Sequence, residues 1–343
     1  MSWFRQITGF SEGNYAETQS LLEVQGDRLI SKVNGKSYRI GSFELTSMAV
    51  LRDRALSGCS IPGHLSFSVI QADVRALHNQ PEYSGALFQV ASQFNCLEMT
   101  NPDIRPEDGV TRYRLDPTQG PACAISAGAA TLYRNYLIPI EGQIGQTSSL
   151  QLNGLHDLGN ALSERLGTPV SALWNMKNGY ANCSNHGLTK ISDFLRSLSD
   201  KELDELRGLL RIGVHRDIEV TDSKNSPGPL VSQAFCSALP VAYSEDLSAP
   251  WEAFASLILE AAYEATVWEG VHNAQLGRSN VVVLTRLGGG AFGNKEEWIE
   301  AAMRRALNLV ADYGLDVRLV TLKTPLKYPS LVNSILRDMA GFD

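Results

Sequence analysis

The chain has 343 residues, of which 43% are hydrophobic and 20% charged, so it is long enough to bury one large core or two modest ones. Its formal net charge is −7 and no long basic run occurs, which argues against a broad nucleic-acid-binding surface. The opening residues lack the apolar stretch of a signal peptide, and no segment approaches the length of a membrane span. We therefore expect a cytoplasmic protein with neither nucleic-acid nor membrane partners.

The cysteine pattern predicts neither disulfides nor a metal site. The five cysteines are widely spaced and include no C-x-x-C pair, so we expect free thiols in a reducing compartment. Cys183 and His186 form a C-x-x-H pair, but a structural zinc site needs four ligands. We predict no metal ligands and no required cofactor.

Several secondary-structure elements can be assigned in the first half of the chain. Residues 28–40 predict a hairpin that turns at Asn34-Gly35. Strands are predicted at 65–70 and 86–91, and the second is continuously apolar, as is typical of a strand covered on both faces. The alanine-rich residues 121–136 predict a helix. Pro121 suits its start, because proline is favoured in a first helical turn.

The pattern becomes mostly helical from about residue 140 to residue 212. Within it, Ser199 and Glu202 have the spacing of a capping box before a leucine-rich helical face. A long amphipathic helix is predicted after Pro250. We interpret residues 140–212 as an insertion into a larger fold.

The C-terminal part predicts a strand at 280–285, a glycine loop, a helix at about 295–312 and a strand at 317–322. This order indicates a parallel sheet with helices on both faces, and so an α/β fold. Glycines in such a loop let backbone N–H groups approach a ligand, and the following helix N-terminus carries partial positive charge. Asn294 and Glu297 have capping-box spacing.

The glycine loop therefore suits a phosphate or a pyrophosphate, although glycine-rich turns are as often simple tight connections. It lacks the Lys-Ser/Thr ending of a P-loop and the downstream acidic residue of a dinucleotide fold. The arrangement of strand, glycine loop, helix and strand instead resembles the second ligand loop of macrodomains, which wraps the diphosphate and the distal ribose of ADP-ribose. By this resemblance, the residues expected to contact the ligand are Gly288, Gly289, Gly290, Ala291, Phe292, Gly293 and Asn294, with Phe292 beside the ribose.

Three further segments are similar to macrodomain segments and occur in the same order. The strand that precedes Asp73 and Val74 resembles the family's strand ending in Gly-Asp-Ile/Val, which implies that Asp73 reads the adenine amino group and that Val74 lies beside the ring. Asn95 inherits the position of an asparagine that faces the distal ribose. The helix start at 118–124 matches the family's first ligand loop, and the contacts it implies are made by Thr118, Gln119 and Gly120.

The resemblance implies a macrodomain-like three-layer α/β/α fold with a mixed, largely parallel sheet. Residues 1–63 are then an N-terminal extension packed on the core, and residues 64–343 are the core, interrupted by the insertion at about 140–212. The sequence departs from the family in lacking three consecutive glycines in the first loop and the Gln-Glu-Glu of poly(ADP-ribose) glycohydrolases. A long segment, 96–119, replaces the usual short loop.

The residues around Asp116-Pro-Thr-Gln-Gly-Pro-Ala-Cys resemble a divergent branch of macrodomain-type ADP-ribosylhydrolases found among bacterial effectors and their eukaryotic relatives. Some members of that branch remove ADP-ribose from an arginine of ubiquitin. The resemblance implies an ADP-ribosylated protein as the partner, with ubiquitin as one candidate. An effector of this branch would be delivered into a host cytoplasm.

The long loop supplies carboxylates for such a reaction. Breaking the bond at the distal ribose passes through a transition state that resembles an oxocarbenium ion, which a carboxylate can stabilise or supply with an activated water. We rank the acids by their closeness to the helix start: Asp116, then Asp108, then Glu107 and Asp103. The alternative is that these are solvated surface acids and that Asp116 only caps the helix.

The leading hypothesis is a hydrolase that binds ADP-ribose and removes it from a mono-ADP-ribosylated protein. One alternative is a reader module that binds ADP-ribose without chemistry, and another is an enzyme acting on a free ADP-ribose-type metabolite. A fold alone does not distinguish these functions.

Overall fold

The structure is a computed structural model that describes residues 2–244 and 249–322. In chain order its strands are β1 (Leu22–Gln25), β2 (Arg28–Ser31), β3 (Ser37–Arg39), β4 (Ser42–Ser47), β5 (Ser66–Gln71), β6 (Leu87–Ala91), β7 (Pro139–Ile140), β8 (Gln143–Ile144), β9 (Trp174–Lys177), β10 (Tyr180–Cys183), β11 (Arg211–Glu219), β12 (Leu230–Cys236), β13 (Val281–Leu284) and β14 (Asp316–Thr321).

The α-helices are α1 (Trp3–Thr8), α2 (Tyr15–Ser20), α3 (Met48–Leu56), α4 (Val74–Leu77), α5 (Gln119–Ser126), α6 (Gly128–Leu132), α7 (His156–Leu166), α8 (Val170–Leu173), α9 (Asn185–Arg196), α10 (Asp200–Gly208), α11 (Glu252–Gln275) and α12 (Glu296–Leu309). Short 3-10 turns add Pro106–Asp108 and Thr111–Leu115, and a π-helical turn follows α6 at Tyr133–Leu137.

A seven-stranded mixed sheet organises the molecule, in the order β4-β11-β12-β6-β13-β14-β5. The neighbours from β12 to β5 run parallel, whereas β11 is antiparallel to both β4 and β12. The predicted strands at 65–70, 86–91, 280–285 and 317–322 are confirmed as β5, β6, β13 and β14. Parallel neighbours place the carboxyl ends of β12, β6 and β13 at one edge, where loops can converge.

Helices cover both faces of this sheet, which confirms the three-layer α/β/α prediction. In β6, Leu87 packs in the cluster with α3, α11 and α12, while Phe88 and Val90 pack in the opposite cluster with α5. This explains why the strand is continuously apolar, since alternate side chains enter different apolar layers.

The helix after Pro250 differs from the amphipathic helix that the sequence predicts. Residues of α11 are buried on most sides, because α3, α9 and α12 surround it. Its buried acids are tolerated because they are paired: Glu264 with Arg52 and Arg305, and Glu269 with Arg216.

The predicted helix at 121–136 is interrupted. The N–H of Gly128 donates to the hydroxyl of Thr221 at 2.8 Å instead of continuing the helical ladder, and Ala127 has non-helical dihedral angles. The chain therefore turns between α5 and α6. The other local predictions hold: Ser199 and Glu202 form the capping box, and β2 pairs with β3 around the Asn34-Gly35 turn.

Part of the predicted N-terminal extension lies inside the core. The edge strand β4 pairs with β11, and α3 packs against α11. Residues 140–212 contain four helices and two small antiparallel hairpins. The boundary at residue 63 stays a prediction, and residues 323–343 of the predicted core lie outside the described residues.

All five cysteines are free thiols, as predicted. Across residues 2–244 and 249–322, none of the helices combines the length and the apolar character needed to cross a bilayer.

Glu12 ties the N-terminal extension to the long acidic loop. Its carboxylate accepts hydrogen bonds from the N–H of Val110 at 2.8 Å, from the N–H of Thr111 at 2.9 Å and from the hydroxyl of Tyr136 at 2.7 Å. The long acidic loop is thereby held to the N-terminal extension by an acid that lies 98 residues before Val110 in the chain.

We predict that Glu12→Ala lowers the free energy of unfolding by about 2–4 kcal/mol, because it leaves the buried N–H of Val110 without an acceptor and removes charge-assisted bonds. Urea denaturation measures the change. The control is Glu23→Ala on β1, whose carboxylate accepts from the surface side chain of Gln25 and whose loss should cost less than about 0.5 kcal/mol. Equal effects of the two substitutions would contradict the role given to Glu12.

Candidate active site

A cleft of about 750 Å³ opens at the carboxyl ends of β6, β12 and β13. That volume includes space open to solvent at the mouth of the cleft. Its lining is drawn from residues 91–93, 98–100, 116–121 and 285–292, together with Tyr180, Ala238 and Tyr243. Segments that are far apart in sequence therefore meet in one cavity.

The start of α5 forms one wall of this cavity and is clamped to β6. The side chain of Gln119 accepts a hydrogen bond from the N–H of Ala91 at 2.9 Å and donates to the carbonyl of Gln89 at 2.7 Å. Gly120 lies so close that a Cβ atom there would be 2.0 Å from the carbonyl oxygen of Ala91. Gln119 thus holds the wall in place, and Thr118, at the N-cap, is exposed.

The glycine loop forms the opposite wall. Gly288 has a φ of +72°, which favours glycine. Gly288, Gly290, Ala291 and Phe292 line the cavity. The N–H groups of Gly290 and Ala291 have no acceptor within the described part of the chain, so they are available to an anionic ligand.

The remaining loop residues support its shape. Asn294 donates from its side chain to the carbonyl of Leu239 at 2.8 Å, and its N–H donates to Gly288. The capping box expected between Asn294 and Glu297 is wrong: Lys295 is the N-cap of α12, because the Asn294 amide is turned inward to hold the loop. Gly289, Gly293 and Asn294 are not among the lining residues.

Asp116 lies in the cavity beside three aromatic rings. One of its carboxylate oxygens accepts from the N–H of Thr118 at 2.8 Å. The ring centres of Tyr180, Tyr243 and Phe292 are 5.3–5.9 Å apart in pairs. Burial raises the pKa of Tyr243, and the negative charge of Asp116 adds to that rise.

The other ranked acids do not line the cavity. Asp108 accepts from the N–H of Arg105, and this bond and the Arg105 side chain hold the pKa of Asp108 below its usual range. Glu107 accepts from the N–H and the hydroxyl of Ser148. Asp103 is exposed and forms an ion pair with Lys177. These partners hold the three acids outside the cavity lining.

The structure also does not bring Asp73, Val74 and Asn95 to the lining. Asp73 is the N-cap of α4 and accepts from the N–H of Arg75 at 2.9 Å, while Val74 is buried under the sheet. Asn95 is fully buried, donates to Gln151 at 2.8 Å and accepts from the N–H of Leu97. Its amide is committed to shaping the turn, so Asn95 does not face the cavity.

One lining carboxyl was not ranked from the sequence. Glu98 is fully buried, and its carboxylate is 3.2 Å from the guanidinium of Arg134, which is also fully buried. Burial raises the pKa of Glu98 to about 7, against the opposing effects of Arg134 and a hydrogen bond with Tyr113. No sequence signal connects Glu98 with Arg134, because they belong to different segments that meet only in the fold.

Within the described residues, no three histidine, cysteine, aspartate or glutamate side chains lie where they could hold a metal ion together. The lining does include one arginine, Arg286, which is paired with Glu296 at 2.7 Å.

No family model and no curated protein matches the sequence. The fold is similar to poly(ADP-ribose) glycohydrolase from Thermomonospora curvata bound to the inhibitor ADP-HPD, at 13% identity and a TM-score of 0.44, over 94% of this chain and 97% of that chain. It is also similar to the enzyme from Deinococcus radiodurans in complex with ADP-ribose, at 11% identity and a TM-score of 0.42, over 87% of this chain and 93% of that chain. Likenesses this low do not establish a function, which has to be inferred from the cavity itself.

We predict that Gly120→Ala destabilises the fold by about 2–3 kcal/mol, because the added methyl group would force α5 away from β6. Chemical denaturation measures this loss. Gly290→Ala is the matched control, since a Cβ atom there meets no other atom within 4 Å. It should change the free energy of unfolding by less than about 0.5 kcal/mol. A tolerated alanine at position 120 would refute the close contact.

Proposed function

We propose that the cavity binds ADP-ribose and that the protein removes it by hydrolysis from a mono-ADP-ribosylated protein. The observation that carries the proposal is the presence, in one cavity, of two unpaired loop N–H groups on one wall and a carboxylate, Asp116, on the other. The first suits a diphosphate, and the second suits the positive charge that develops on a ribose when its glycosidic bond breaks.

Two further features support an anionic nucleotide ligand. The N-terminus of α5 opens at the cavity and carries partial positive charge. Arg286 adds a guanidinium to the lining on the side of the glycine loop. The segments around residues 120 and 290, which the sequence assigned to ligand loops, both contribute to this arrangement.

Asp116 and the aromatic rings support an arginine linkage. A guanidinium stacks well on aromatic faces and pairs with a carboxylate through two hydrogen bonds. Tyr180, Tyr243 and Phe292 offer the rings, and Asp116 offers a carboxylate in the same cavity. We therefore propose that the bond cleaved is the one between the distal ribose and a guanidinium nitrogen of ADP-ribosylated arginine. Ubiquitin is the first carrier protein to test, because it is the substrate of some members of the branch that the sequence resembles. A cytoplasmic location stays a prediction.

We predict that Asp116→Ala reduces release of ADP-ribose about 100- to 1000-fold, the usual cost of losing one electrostatic stabiliser of a transition state. Affinity for free ADP-ribose should change little, since the diphosphate contacts remain. Release is followed with an arginine-ADP-ribosylated substrate protein, and affinity by calorimetry.

The control for this experiment is Asp103→Ala, which removes an exposed loop acid outside the cavity and should leave release unchanged. Equal loss of release and affinity in Asp116→Ala would make Asp116 a structural residue. Binding of ADP-ribose without release by the unmodified protein, with and without magnesium, would identify a reader module instead of an enzyme.

Asp73 lies outside the cavity lining, but the resemblance of the sequence assigns it the adenine amino group. On that basis we predict that Asp73→Ala weakens ADP-ribose binding about tenfold, the worth of one charged hydrogen bond. Asp73→Ser separates this role from helix capping, because serine also caps a helix but is too short to replace the carboxylate. Both variants should bind ADP-ribose equally weakly. Unchanged affinity, or recovery in the serine variant, would refute the assignment.

A further inference from the structure

Glu98 is a buried ionisable group at the cavity, and the proposed function assigns it no role. One carboxylate oxygen, Oε1, lies 3.2 Å from Nη2 of Arg134. The other, Oε2, has no hydrogen-bond partner within the described part of the chain, although the residue lines the cavity. The side chains of both Glu98 and Arg134 are 0% exposed.

A purely structural role does not account for this arrangement. Buried ion pairs that only hold a fold together usually saturate both oxygens and all N–H groups. Here Oε2 of Glu98 and Nη1 of Arg134 are both unsatisfied. Arg134 is otherwise well anchored, since its Nε donates to the carbonyl of Cys96 and its guanidinium lies 3.8 Å from the ring centre of Phe235. The anchored Arg134 therefore fixes Oε1 of Glu98, while Oε2 has no hydrogen-bond partner of normal geometry within the described part of the chain.

The position of Glu98 relative to α5 is also defined. A Cβ atom on Gly120 would lie 3.2 Å from Cγ of Glu98, so the acid packs directly against the start of the helix that forms the cavity wall. Asp116 and Thr118 lie in the turn that leads into the same helix. Two carboxyl groups thus border one cavity, one buried and one half-exposed, and such different surroundings suit different roles in glycoside hydrolysis.

We propose that Glu98 is the catalytic base of this site, whose unpaired oxygen takes a proton from the water that attacks the distal ribose. The inference rests on the proposed function. In the step, the water oxygen forms a bond to C1 of the distal ribose, and one water proton moves to Oε2. The C1–N bond breaks and its electron pair leaves with the guanidine nitrogen. The proton then passes from Glu98 to that nitrogen, which restores the carboxylate and needs no other reactant.

The charged and titratable groups around Glu98 are compatible with a base. Arg134 faces it from the π-helical turn, Tyr113 from the 3-10 turn at Thr111–Leu115, Cys123 from α5 and Cys96 from its own loop. Burial raises the pKa of Glu98 to about 7, which is near the optimum for a base at neutral pH. Because a base must be ionised, kcat/KM should fall about tenfold per pH unit as the pH drops below that value.

The test is Glu98→Gln, which keeps the size of the side chain and an acceptor for Arg134. We expect kcat to fall about 100- to 10,000-fold while KM and the ADP-ribose affinity stay within about twofold, and we expect the acidic limb near pH 7 to disappear from the residual activity. The control is Glu269→Gln, which removes another buried acid paired with an arginine, far from the cavity lining, and should keep the rate and its pH profile.

Loss of folding is separated from loss of chemistry in two ways. The double variant Glu98→Gln/Arg134→Met removes both buried charges, and it should bind ADP-ribose but not release it. If neither variant folds, the pH profile of the unmodified protein decides, because the absence of an acidic limb near pH 7 would overturn the inference.

The outcomes also separate this inference from the proposed function. If the unmodified protein neither binds ADP-ribose nor releases it, both fail together. If it releases ADP-ribose and Glu98→Gln does so at the same rate, or loses affinity and release in equal measure, the proposed function stands and only the role of Glu98 is overturned.

Discussion

The contact between the first turn of α5 and the end of β6 is the constraint on which the cavity depends. Gly120 permits the approach to the Ala91 carbonyl, and Gln119 secures it with hydrogen bonds to the backbone of the same strand. With this contact in place, Asp116 and Thr118 lie over the carboxyl edge of the sheet, and Glu98 is enclosed behind the helix. A helix that began further from the strand would not bring the two carboxyl groups to the same cavity.

The elements that the sequence predicted well are those with a local physical signal. The apolar strands at 86–91 and 280–285 and the glycine loop at 288–293 depend on periodicity and on glycine, both of which are visible in a short window. The interrupted helix was not predictable, because its break depends on Thr221, 93 residues away. A side chain that competes for a helical N–H leaves no trace in the local pattern.

The lining of the cavity was predicted in part, for the same reason. The glycine loop and Asp116 were found because each stands next to the end of a strand or the start of a helix. Asp108 and Asp103 were ranked by their distance along the chain, whereas their ion pairs turn them away from the cavity. Glu98 was not ranked as a catalytic acid, because a buried acid can be recognised only from the groups around it. Arg134 comes next to Glu98 only in the folded protein.

Residues 42–47 look like part of an appendage in the sequence, yet they close one side of the central sheet. The strand β4 covers the backbone of β11, which otherwise has β12 as its neighbour on one side only. An uncovered strand of this kind offers its free N–H and C=O groups to any other polypeptide. Removal of the opening segment would therefore leave the nine-residue β11 as the edge strand in place of the six-residue β4, and would lengthen the row of backbone groups open to another chain.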